Sequence, residues 1–131
     1  MVEERSGVAC VMAVDDDHVI RGLIAVNLEL EGHEVLTAVD GADALLQVRR
    51  RRPDLILLDV MMPNVDGWQV AETLKRQRDT HQIPIVFLSA RAMENDVKKG
   101  MDLGVQAYVT KPFDPIDLMN LVNDLLARQS G

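Results

Sequence analysis

The chain has 131 residues, of which 47% are hydrophobic and 27% are charged, and its formal net charge is −7. This length and hydrophobic content suffice for one domain with a buried core, and they exclude a protein that is disordered throughout. The negative net charge disfavours a protein that binds the phosphate backbone of nucleic acids.

The redox and targeting signals of the sequence favour the cytoplasm. Cys10 is the only cysteine, so an internal disulfide is impossible, and its place in an apolar run predicts a buried, unreactive thiol. Glu3 and Glu4 are acidic where a secretory signal would be basic, and no apolar run approaches the roughly 18 residues of a membrane span. We therefore expect a cytoplasmic protein without a membrane partner.

Short apolar runs alternate with helical patterns along the chain. These apolar runs occupy residues 8–14, 35–39, 55–58, 85–88 and 107–109. Each run is followed by apolar residues at helical spacing, and turn formers such as Gly32 and Pro53 separate the elements. The helical signal is weakest over residues 94–103. The pattern predicts five strands, each followed by a helix.

This alternation indicates an α/β fold. Strands rich in Val, Ile and Leu are typical of a parallel sheet with helices on both faces, and right-handed crossovers place the helices there. We predict a doubly wound, five-stranded parallel sheet of the flavodoxin-like (βα)5 type, with strand order 2-1-3-4-5. A single domain over residues 1–131, with its core at about 8–128 and no output domain, is expected, either as a stand-alone protein or as part of a longer chain.

Polar residues stand at the carboxyl ends of four predicted strands. The three aspartates at positions 15–17 follow the first strand, and Asp59, Ser89 and Lys111 follow later ones. Parallel sheets place their ligand crevice at this edge, so these side chains should meet at the switch point between the first and third strands. Carboxylates bind a divalent cation, lysine brings a positive charge, and serine brings a hydroxyl group. The set suits phosphoryl chemistry on magnesium.

The one basic run is formed by the four arginines at positions 49–52, which precede Pro53. Such a run is typical either of a nucleic-acid-binding patch or of the solvated end of a helix. We prefer the second interpretation, because cations are favoured at a helix C-terminus and a proline commonly follows it.

Seven short segments stand in or next to the predicted strands and in the loops between them. They are Val14-Asp15-Asp16-Asp17, Pro53-Asp54, Asp59-Val60-Met61-Met62-Pro63, Asp66-Gly67, Ser89-Ala90, Tyr108 and Lys111-Pro112-Phe113. Each is a weak signal alone, but in this order and at these places they are specific. From its first strand to its fifth helix, the chain resembles the receiver domain of two-component response regulators, and in particular the chemotaxis regulators.

The resemblance implies that Asp59 is the phosphoacceptor, which receives a phosphoryl group from a phosphohistidine of a sensor histidine kinase or phosphotransfer protein. It implies that Asp15, Asp16 and Asp59 hold Mg²⁺, for which Mn²⁺ can substitute, together with the backbone carbonyl of Met61. It also implies that Lys111 contacts the phosphoryl oxygens, with its side chain directed inward by a cis bond to the following proline.

The resemblance further implies a switch formed by Ser89 and Tyr108. Ser89 would bind the phosphoryl group, Tyr108 would fill the vacated space, and the face of the fourth helix, fifth strand and fifth helix would bind a downstream protein. The domain would be a signalling domain rather than an enzyme. It would catalyse only its own phosphorylation and a slow dephosphorylation, because Met61 and Arg91 stand where other family members position water. No direct nucleic-acid partner is expected, and the domain would be a monomer or a phosphorylation-dependent dimer.

Each site residue also has an ordinary structural explanation. Aspartates are common helix N-caps and turn residues, which is the interpretation that we prefer for Asp17. Lys111 can be a surface lysine, Ser89 can bond local backbone, and Tyr108 can be a half-buried packing ring.

Three other protein classes share parts of the pattern. An aspartyl phosphatase or mutase usually carries a second acid two residues after its nucleophile, where this chain has Met61. A flavin-binding flavodoxin-like module needs a phosphate loop after the first strand, where the aspartates at positions 15–17 would repel a phosphate. A receiver that signals without phosphate is disfavoured by the intact acidic set.

Overall fold

The computed structural model describes residues 8–91 and 93–130, which form five strands and five helices in alternation. In chain order the elements are β1 (Cys10–Val14), α1 (His18–Leu30), β2 (Glu34–Ala38), α2 (Gly41–Arg50), β3 (Leu55–Asp59), α3 (Gly67–Arg76), β4 (Ile85–Ser89), α4 (Glu94–Leu103), β5 (Ala107–Thr110) and α5 (Pro115–Ser130). All neighbouring strands are parallel, and their order in the sheet is β2-β1-β3-β4-β5. The predicted fold and strand order are confirmed.

Successive residues of the three central strands enter separate cores on opposite faces of the sheet. Met12, Ile56 and Phe87 lie in the core beneath α2 and α3, whereas Val11 and Leu57 lie in the core beneath α1 and α5. Because these strands are buried on both faces, their sequences are nearly continuous apolar runs. In these three central strands, polar side chains such as Asp59 and Ser89 therefore occur only where the strand ends.

Helix caps fix the loops at the carboxyl edge of the sheet. The Asp17 carboxylate accepts hydrogen bonds from the backbone amides of Val19 and Ile20, at 2.9 and 3.3 Å, and so caps α1. The preferred interpretation of Asp17 as a cap is confirmed. Asp66 begins α3 through a reciprocal capping box with Gln69.

All five strands differ from their predicted bounds by one or two residues, and β3, β4 and β5 each extend one residue further than predicted. β1 begins at Cys10 rather than at Val8, whose surface is 43% exposed. β2 ends at Ala38, because the backbone amide of Val39 donates its hydrogen bond to the Asp43 carboxylate, at 3.0 Å, instead of to a neighbouring strand. Apolar character alone does not separate the last strand residue from the first loop residue.

The last two helices differ in their attachment to the sheet. α4 occupies the predicted range, but Gly100 is its only buried residue, and Met93 caps it without a side-chain hydrogen bond. α5 is the longest helix, with 16 residues. Within residues 8–91 and 93–130, no helix combines the length and the apolar character needed to cross a membrane.

Candidate functional site

Three carboxylates converge at the carboxyl edge of the sheet. Asp15 follows β1 and Asp59 ends β3, and both are buried, with 0% and 3% of their surface exposed. Asp16 is exposed. One carboxylate oxygen of each lies within 4.8 Å of the others. The strands set this arrangement, because β1 pairs with β3 in a register that places Val14 beside Leu58, directly before the two buried aspartates.

Lys111 reaches this cluster from the end of β5. Its backbone amide donates a hydrogen bond to the carbonyl of Ser89 at 2.8 Å, which holds the chain after β5 against the end of β4. Its Nζ lies 2.9 Å from Asp15 Oδ2 and 3.3 Å from Asp59 Oδ1. The peptide bond to Pro112 is cis, as the resemblance implied. An ordinary surface lysine would not contact two buried carboxylates.

The site carries more negative than positive charge, and burial and this excess together shift the pKa values of Asp59 and Lys111. Burial, and then the negative charge of Asp15, raise the pKa of Asp59 to about 7, although Lys111 acts in the opposite direction. Burial acts to lower the pKa of Lys111, but the hydrogen bond that its ammonium group donates to Asp15 and the charges of both aspartates outweigh burial, so this pKa is raised. Three carboxylates cluster here and the Lys111 ammonium group pairs with two of them, and this excess of negative charge favours a bound cation.

The donor set of the cluster fits a hard divalent cation. Asp15, Asp16 and Asp59 offer oxygen ligands, and the exposure of Asp16 leaves room for water in the coordination shell. The backbone amide of Met61 donates a hydrogen bond to Asp59 Oδ1 at 3.3 Å, which places Met61 beside the cluster. Its carbonyl stays a predicted ligand. The three predicted carboxylate ligands are brought together by the fold.

Ser89, Arg91 and Tyr108 form a hydrogen-bonded chain across the loop between β4 and α4. Ser89 is fully buried, and its Oγ accepts a hydrogen bond from the Arg91 amide at 3.0 Å. The Arg91 carbonyl accepts one from the Tyr108 hydroxyl at 2.5 Å. The Arg91 guanidinium lies 3.4 Å from the Asp96 carboxylate in the first turn of α4. Arg91 thus links both predicted switch residues to α4, a connection that the sequence pattern does not reveal.

The ring of Tyr108 belongs to an aromatic cluster beneath α4. It packs edge-on against Phe87, with 6.0 Å between centroids, and lies 6.5 Å from Trp68, which itself packs edge-on against Phe87 at 4.9 Å. The Lys99 ammonium lies 4.5 Å from the centroid of the Trp68 ring. Trp68 is the only tryptophan of the chain, so its fluorescence reports on the surroundings of Tyr108.

Arg21 is a part of the site that the sequence analysis missed. Its guanidinium donates a hydrogen bond to the Asp15 carbonyl at 2.7 Å, and its backbone amide donates one to the Asp17 carbonyl at 3.0 Å. It therefore holds the loop between β1 and α1 and places a positive charge near the acidic cluster. Arg21 is the only lysine or arginine in α1, and this isolated cation beside an acidic loop is the signal that points to it.

Gly67 allows the chain after β3 to return close to the end of that strand. A Cβ atom at Gly67 would lie 2.5 Å from the carbonyl oxygen of Asp59 and 2.7 Å from the Cα of Val60. The Gly67 amide donates a hydrogen bond to the Val60 carbonyl at 3.0 Å. A side chain at this position would displace the end of β3, so the glycine of the Asp66-Gly67 segment has a local steric cause.

Two features away from the site also agree with the sequence analysis. Cys10 is 6% exposed, and burial raises the pKa of its thiol. The arginines at positions 49–52 lie at the exposed end of α2, where Arg51 forms an ion pair and Arg52 donates a hydrogen bond to the Asp79 carbonyl at 2.9 Å. The basic run is the end of a helix, as preferred.

Comparisons of the sequence and of the structure with known proteins both match response regulators. The family model of the response regulator receiver domain matches residues 11–123. The DNA-binding dual master transcriptional regulator RpaA of Synechocystis sp. is 40% identical over 118 residues, which are 90% of this chain and 49% of that protein. The alkaline phosphatase synthesis transcriptional regulatory protein PhoP of Bacillus subtilis is 41% identical over 118 residues, which are 90% of this chain and 48% of that protein. The receiver domain of the Francisella response regulator 1452 has a TM-score of 0.87 at 31% sequence identity and covers 92% of this chain and 98% of its own.

The chain spans about half the length of the curated relatives that it matches. The region matched by the family model includes Asp15, Asp59, Ser89 and Lys111. Fold, strand order and relatives agree, and the chain belongs to the response regulator receiver domain family of two-component systems.

Proposed function

We propose that Asp59 is the phosphoacceptor of this receiver domain and that its phosphorylation changes a surface that binds a partner protein. The observation that carries the proposal is the contact of a single ammonium group, Lys111 Nζ, with Asp59 and Asp15 inside a cluster of three carboxylates. Clustered carboxylates repel one another and lower the stability of a protein without a bound cation. Such an arrangement in a crevice is typical of a functional site.

The proposed reaction is a phosphoryl transfer to a carboxylate. A carboxylate oxygen of Asp59 attacks the phosphorus of a phosphohistidine on a kinase or phosphotransfer protein, so that a P–O bond forms and the P–N bond breaks. The electron pair of the broken bond stays with the imidazole, which takes up a proton from solvent. Lys111 lies 3.3 Å from the acceptor carboxylate and is placed to stabilise the negative charge of the phosphoryl oxygens.

The proposed magnesium ligands are Asp15, Asp16 and Asp59, with the Met61 carbonyl as the fourth ligand from the protein and Mn²⁺ as a substitute ion. The bound cation would neutralise charge on the carboxylates and on the transferring group. Asp15 is oriented in advance, because its Oδ1 accepts a hydrogen bond from the Asp17 amide at 2.9 Å. The exposed position of Asp16 gives the cation access from solvent.

The proposed switch starts at Ser89. A phosphoryl group on Asp59 gives the Ser89 hydroxyl a new acceptor, which competes with the present hydrogen bond from the Arg91 amide. Rotation of the Ser89 side chain towards the phosphoryl group would release the loop between β4 and α4. The Arg91 carbonyl would then lose its fixed position relative to the Tyr108 hydroxyl. Because Arg91 also contacts Asp96, the change would reach α4. We expect a shift between two arrangements of α4, β5 and α5.

The phosphorylated state is expected to be long-lived. Met61 is 52% exposed and carries a thioether, and Arg91 carries a guanidinium that is paired with Asp96. Neither side chain offers a strong acceptor that would hold a water molecule in line for attack on phosphorus. The lifetime is measured by intact mass spectrometry after removal of the phosphodonor, and a lifetime of seconds for the isolated protein would contradict this expectation.

Helix α1 offers a surface for the phosphodonor next to the site. It begins close to Asp16 and carries a row of exposed apolar residues at helical spacing. This row consists of Val19, Leu23, Val26 and Leu30. Monomeric proteins rarely expose contiguous apolar patches without a binding role, and such a row fits the apolar face of a partner helix. We propose that the helix bearing the phosphohistidine lies along α1.

The proposed output surface is formed by α4, β5 and α5, where Met101 and Ile116 are exposed. RpaA and PhoP are transcriptional regulators, and RpaA binds DNA. For this chain we propose that residues 1–131 act as one receiver unit in the cytoplasm and that it contacts proteins rather than nucleic acid. The net charge of −7 supports this choice. The unit would be a monomer or a phosphorylation-dependent dimer.

The experiment that tests the proposal is intact mass spectrometry after incubation with Mg²⁺ and acetyl phosphate. The expected result is a gain of one phosphoryl group, about 80 Da, that is stable in acid and labile in base, as an acyl phosphate is. Asp59→Asn should abolish the gain, and chelation of Mg²⁺ with EDTA should prevent it. Asp17→Asn is the matched control, because it makes the same change in a residue that caps α1 and lies outside the proposed ligand set.

Two outcomes would contradict the proposal. A phosphoryl group that still attaches to folded Asp59→Asn would place the acceptor elsewhere. No gain in the wild-type protein, either with acetyl phosphate or with phosphorylated kinases, would show that the pocket does not act as a phosphoacceptor.

A further inference from the structure

Half of the positive charge of this acidic chain lies at one end of the molecule. The four arginines at positions 49–52 lie at the end of α2, and Lys75, Arg76 and Arg78 lie at and just beyond the end of α3, so these seven are half of the 14 lysines and arginines. Helices between parallel strands run in the direction opposite to the strands. This basic end is therefore opposite the edge of the sheet that carries Asp59.

The ends of the two helices form one surface. Arg52 Nε donates a hydrogen bond to the Asp79 carbonyl at 2.9 Å, which joins the end of α2 to the loop after α3. Between them lies a cavity of about 500 Å³, whose charged lining residues are Arg49, Arg52 and Asp79. Three apolar residues also line the cavity and are here called its floor, namely Leu45, Val48 and Leu74. We call this surface, with the arginines around it, the basic groove.

Part of the positive charge around the basic groove is not neutralised. Arg51 forms an ion pair with Glu34, and Arg76 forms one with Glu72. In contrast, within the described ranges of the chain the side chains of Arg49, Arg50 and Arg78 make no hydrogen bond and no ion pair. Their guanidinium groups are exposed and available to a partner.

Helix electrostatics explain only a part of this charge. Cations are favourable in the last turn of a helix, which accounts for Arg49 and Arg50 in α2 and for Arg76 in α3. The effect fades within one turn, so it does not account for Arg52 or Arg78, which lie beyond the helix ends. It also does not account for an open cavity with an apolar floor.

We propose that the basic groove binds a short acidic peptide segment of a partner protein. An apolar side chain of the segment would enter the cavity, and its carboxylates would face Arg49, Arg50 and Arg78. Because guanidinium groups bind carboxylates in a bidentate manner, these arginines would orient the peptide as well as attract it.

A peptide fits the groove better than a nucleic acid does. The floor of Leu45, Val48 and Leu74 offers burial to an apolar side chain, which a phosphate backbone does not have. This cluster of basic residues occupies one end of a chain whose net charge is −7. A long polyanion would extend from the groove over surfaces of its own sign, whereas a short peptide stays within the groove.

The test is fluorescence anisotropy with a fluorescein-labelled synthetic peptide of ten residues that alternates glutamate and leucine. Saturable binding is expected, and it should weaken as salt is raised. Arg49→Gln should weaken binding by roughly two- to fivefold, the range for one exposed ion pair. The matched control is Arg128→Gln, because Arg128 is exposed on α5 beneath the other face of the sheet and its loss changes the net charge equally. The control should bind as the wild type does.

Two further probes separate an acidic peptide from a general polyanion. A peptide in which serine replaces every leucine should bind more weakly than the leucine peptide, because it leaves the cavity floor unfilled. A single-stranded oligonucleotide of equal charge should also bind more weakly. The proposal is overturned if the leucine peptide does not bind, if Arg49→Gln and Arg128→Gln weaken it equally, or if the serine peptide or the oligonucleotide binds as tightly. Equal melting temperatures of the variants establish that the differences arise at the groove.

Discussion

Lys111 Nζ lies 3.3 Å from Asp59 Oδ1, which makes this lysine the electrostatic counterpart of the proposed phosphoacceptor. The same ammonium group is 2.9 Å from Asp15 Oδ2, and only 15% of the lysine side chain is exposed. Water and salt therefore screen these contacts weakly. A positive charge in this place stabilises added negative charge on Asp59, and it also opposes the binding of a cation to the same carboxylates.

Lys111→Met should separate these two effects. We expect the rate of phosphorylation by acetyl phosphate to fall by at least about tenfold, because a fixed positive charge at the transferring group is lost. Mg²⁺ should bind with equal or higher affinity, because a competing cation is removed. Initial rates come from intact mass spectrometry and Mg²⁺ affinity from Trp68 fluorescence. The control is Lys98→Met, at an exposed lysine of α4. A variant that loses Mg²⁺ binding together with its rate would contradict the assigned role.

Asp59→Asn should stabilise the protein in EDTA at pH 8. The pKa of Asp59 is about 7 in the folded protein, above its ordinary value of 3.8, so the folded state prefers the protonated carboxyl group. The stability associated with this group is fully present below pH 3.8 and is lost as the pH rises through 7. The asparagine side chain does not ionise and so avoids this loss. At pH 8 the free energy of unfolding of Asp59→Asn should exceed that of the wild type by a few kcal/mol, because a difference of one pKa unit corresponds to about 1.4 kcal/mol.

The gain should shrink as the pH falls from 8 towards 4, and this dependence distinguishes electrostatic strain from better packing of the amide. Urea denaturation at several pH values measures it, with Asp17→Asn as a control that should show no such trend. A gain of equal size at pH 5 and pH 8 would contradict the assignment of the strain to the ionised Asp59.

The fold and the members of the acidic site could be predicted from the sequence for one physical reason. Strands buried on both faces must be apolar throughout, so the first polar residue after each run marks its end, as Asp15, Asp59 and Ser89 do. Parallel topology then brings these ends together without any knowledge of the side-chain contacts. Lys111 follows the same rule, although β5 is only partly buried.

The contacts of the arginines were not accessible in the same way. The guanidinium groups of Arg21 and Arg91 reach the Asp15 carbonyl and the Asp96 carboxylate. A long, flexible side chain selects such a partner from several within reach, and the choice depends on the loops around it rather than on sequence spacing. The cavity of the basic groove was hidden for a related reason, because its floor combines residues of α2 with Leu74 of α3.

Tyr108→Phe should loosen the loop between β4 and α4 without removing the aromatic packing. The variant loses the hydroxyl group that donates to the Arg91 carbonyl but keeps the ring beside Phe87. We expect a loss of about 1 kcal/mol in the free energy of unfolding, as for a typical hydrogen bond. The Arg91 amide should exchange its hydrogen faster. Denaturant titrations and amide exchange measured by nuclear magnetic resonance test both effects.

The control for this variant is Thr110→Val, which removes an exposed hydroxyl group from the same strand. It should leave the exchange of the Arg91 amide unchanged. If both variants exchange this amide at the wild-type rate, the hydrogen bond from Tyr108 does not hold the loop, and the proposed route from Ser89 to α4 is wrong.

Two glycines should respond to the same substitution in opposite directions. Gly22 lies within α1, and a Cβ there would meet nothing within 4 Å, so Gly22→Ala should stabilise the protein by about 0.5–1 kcal/mol through its higher helix propensity. In Gly67→Ala the new Cβ would lie 2.5 Å from the Asp59 carbonyl oxygen, and the end of β3 must move. We expect a loss of about 1–3 kcal/mol, as in overpacked sites.

Phosphorylation adds a second comparison between these two variants. With acetyl phosphate, which needs no docking on α1, Gly22→Ala should react at the wild-type rate. Gly67→Ala should react more slowly even under conditions where it is fully folded, because the shift of β3 moves Asp59 relative to Lys111. Urea denaturation gives the stabilities, and intact mass spectrometry gives the rates. A Gly67→Ala protein with wild-type stability and rate would show that the close approach of Gly67 to β3 does not position the acceptor.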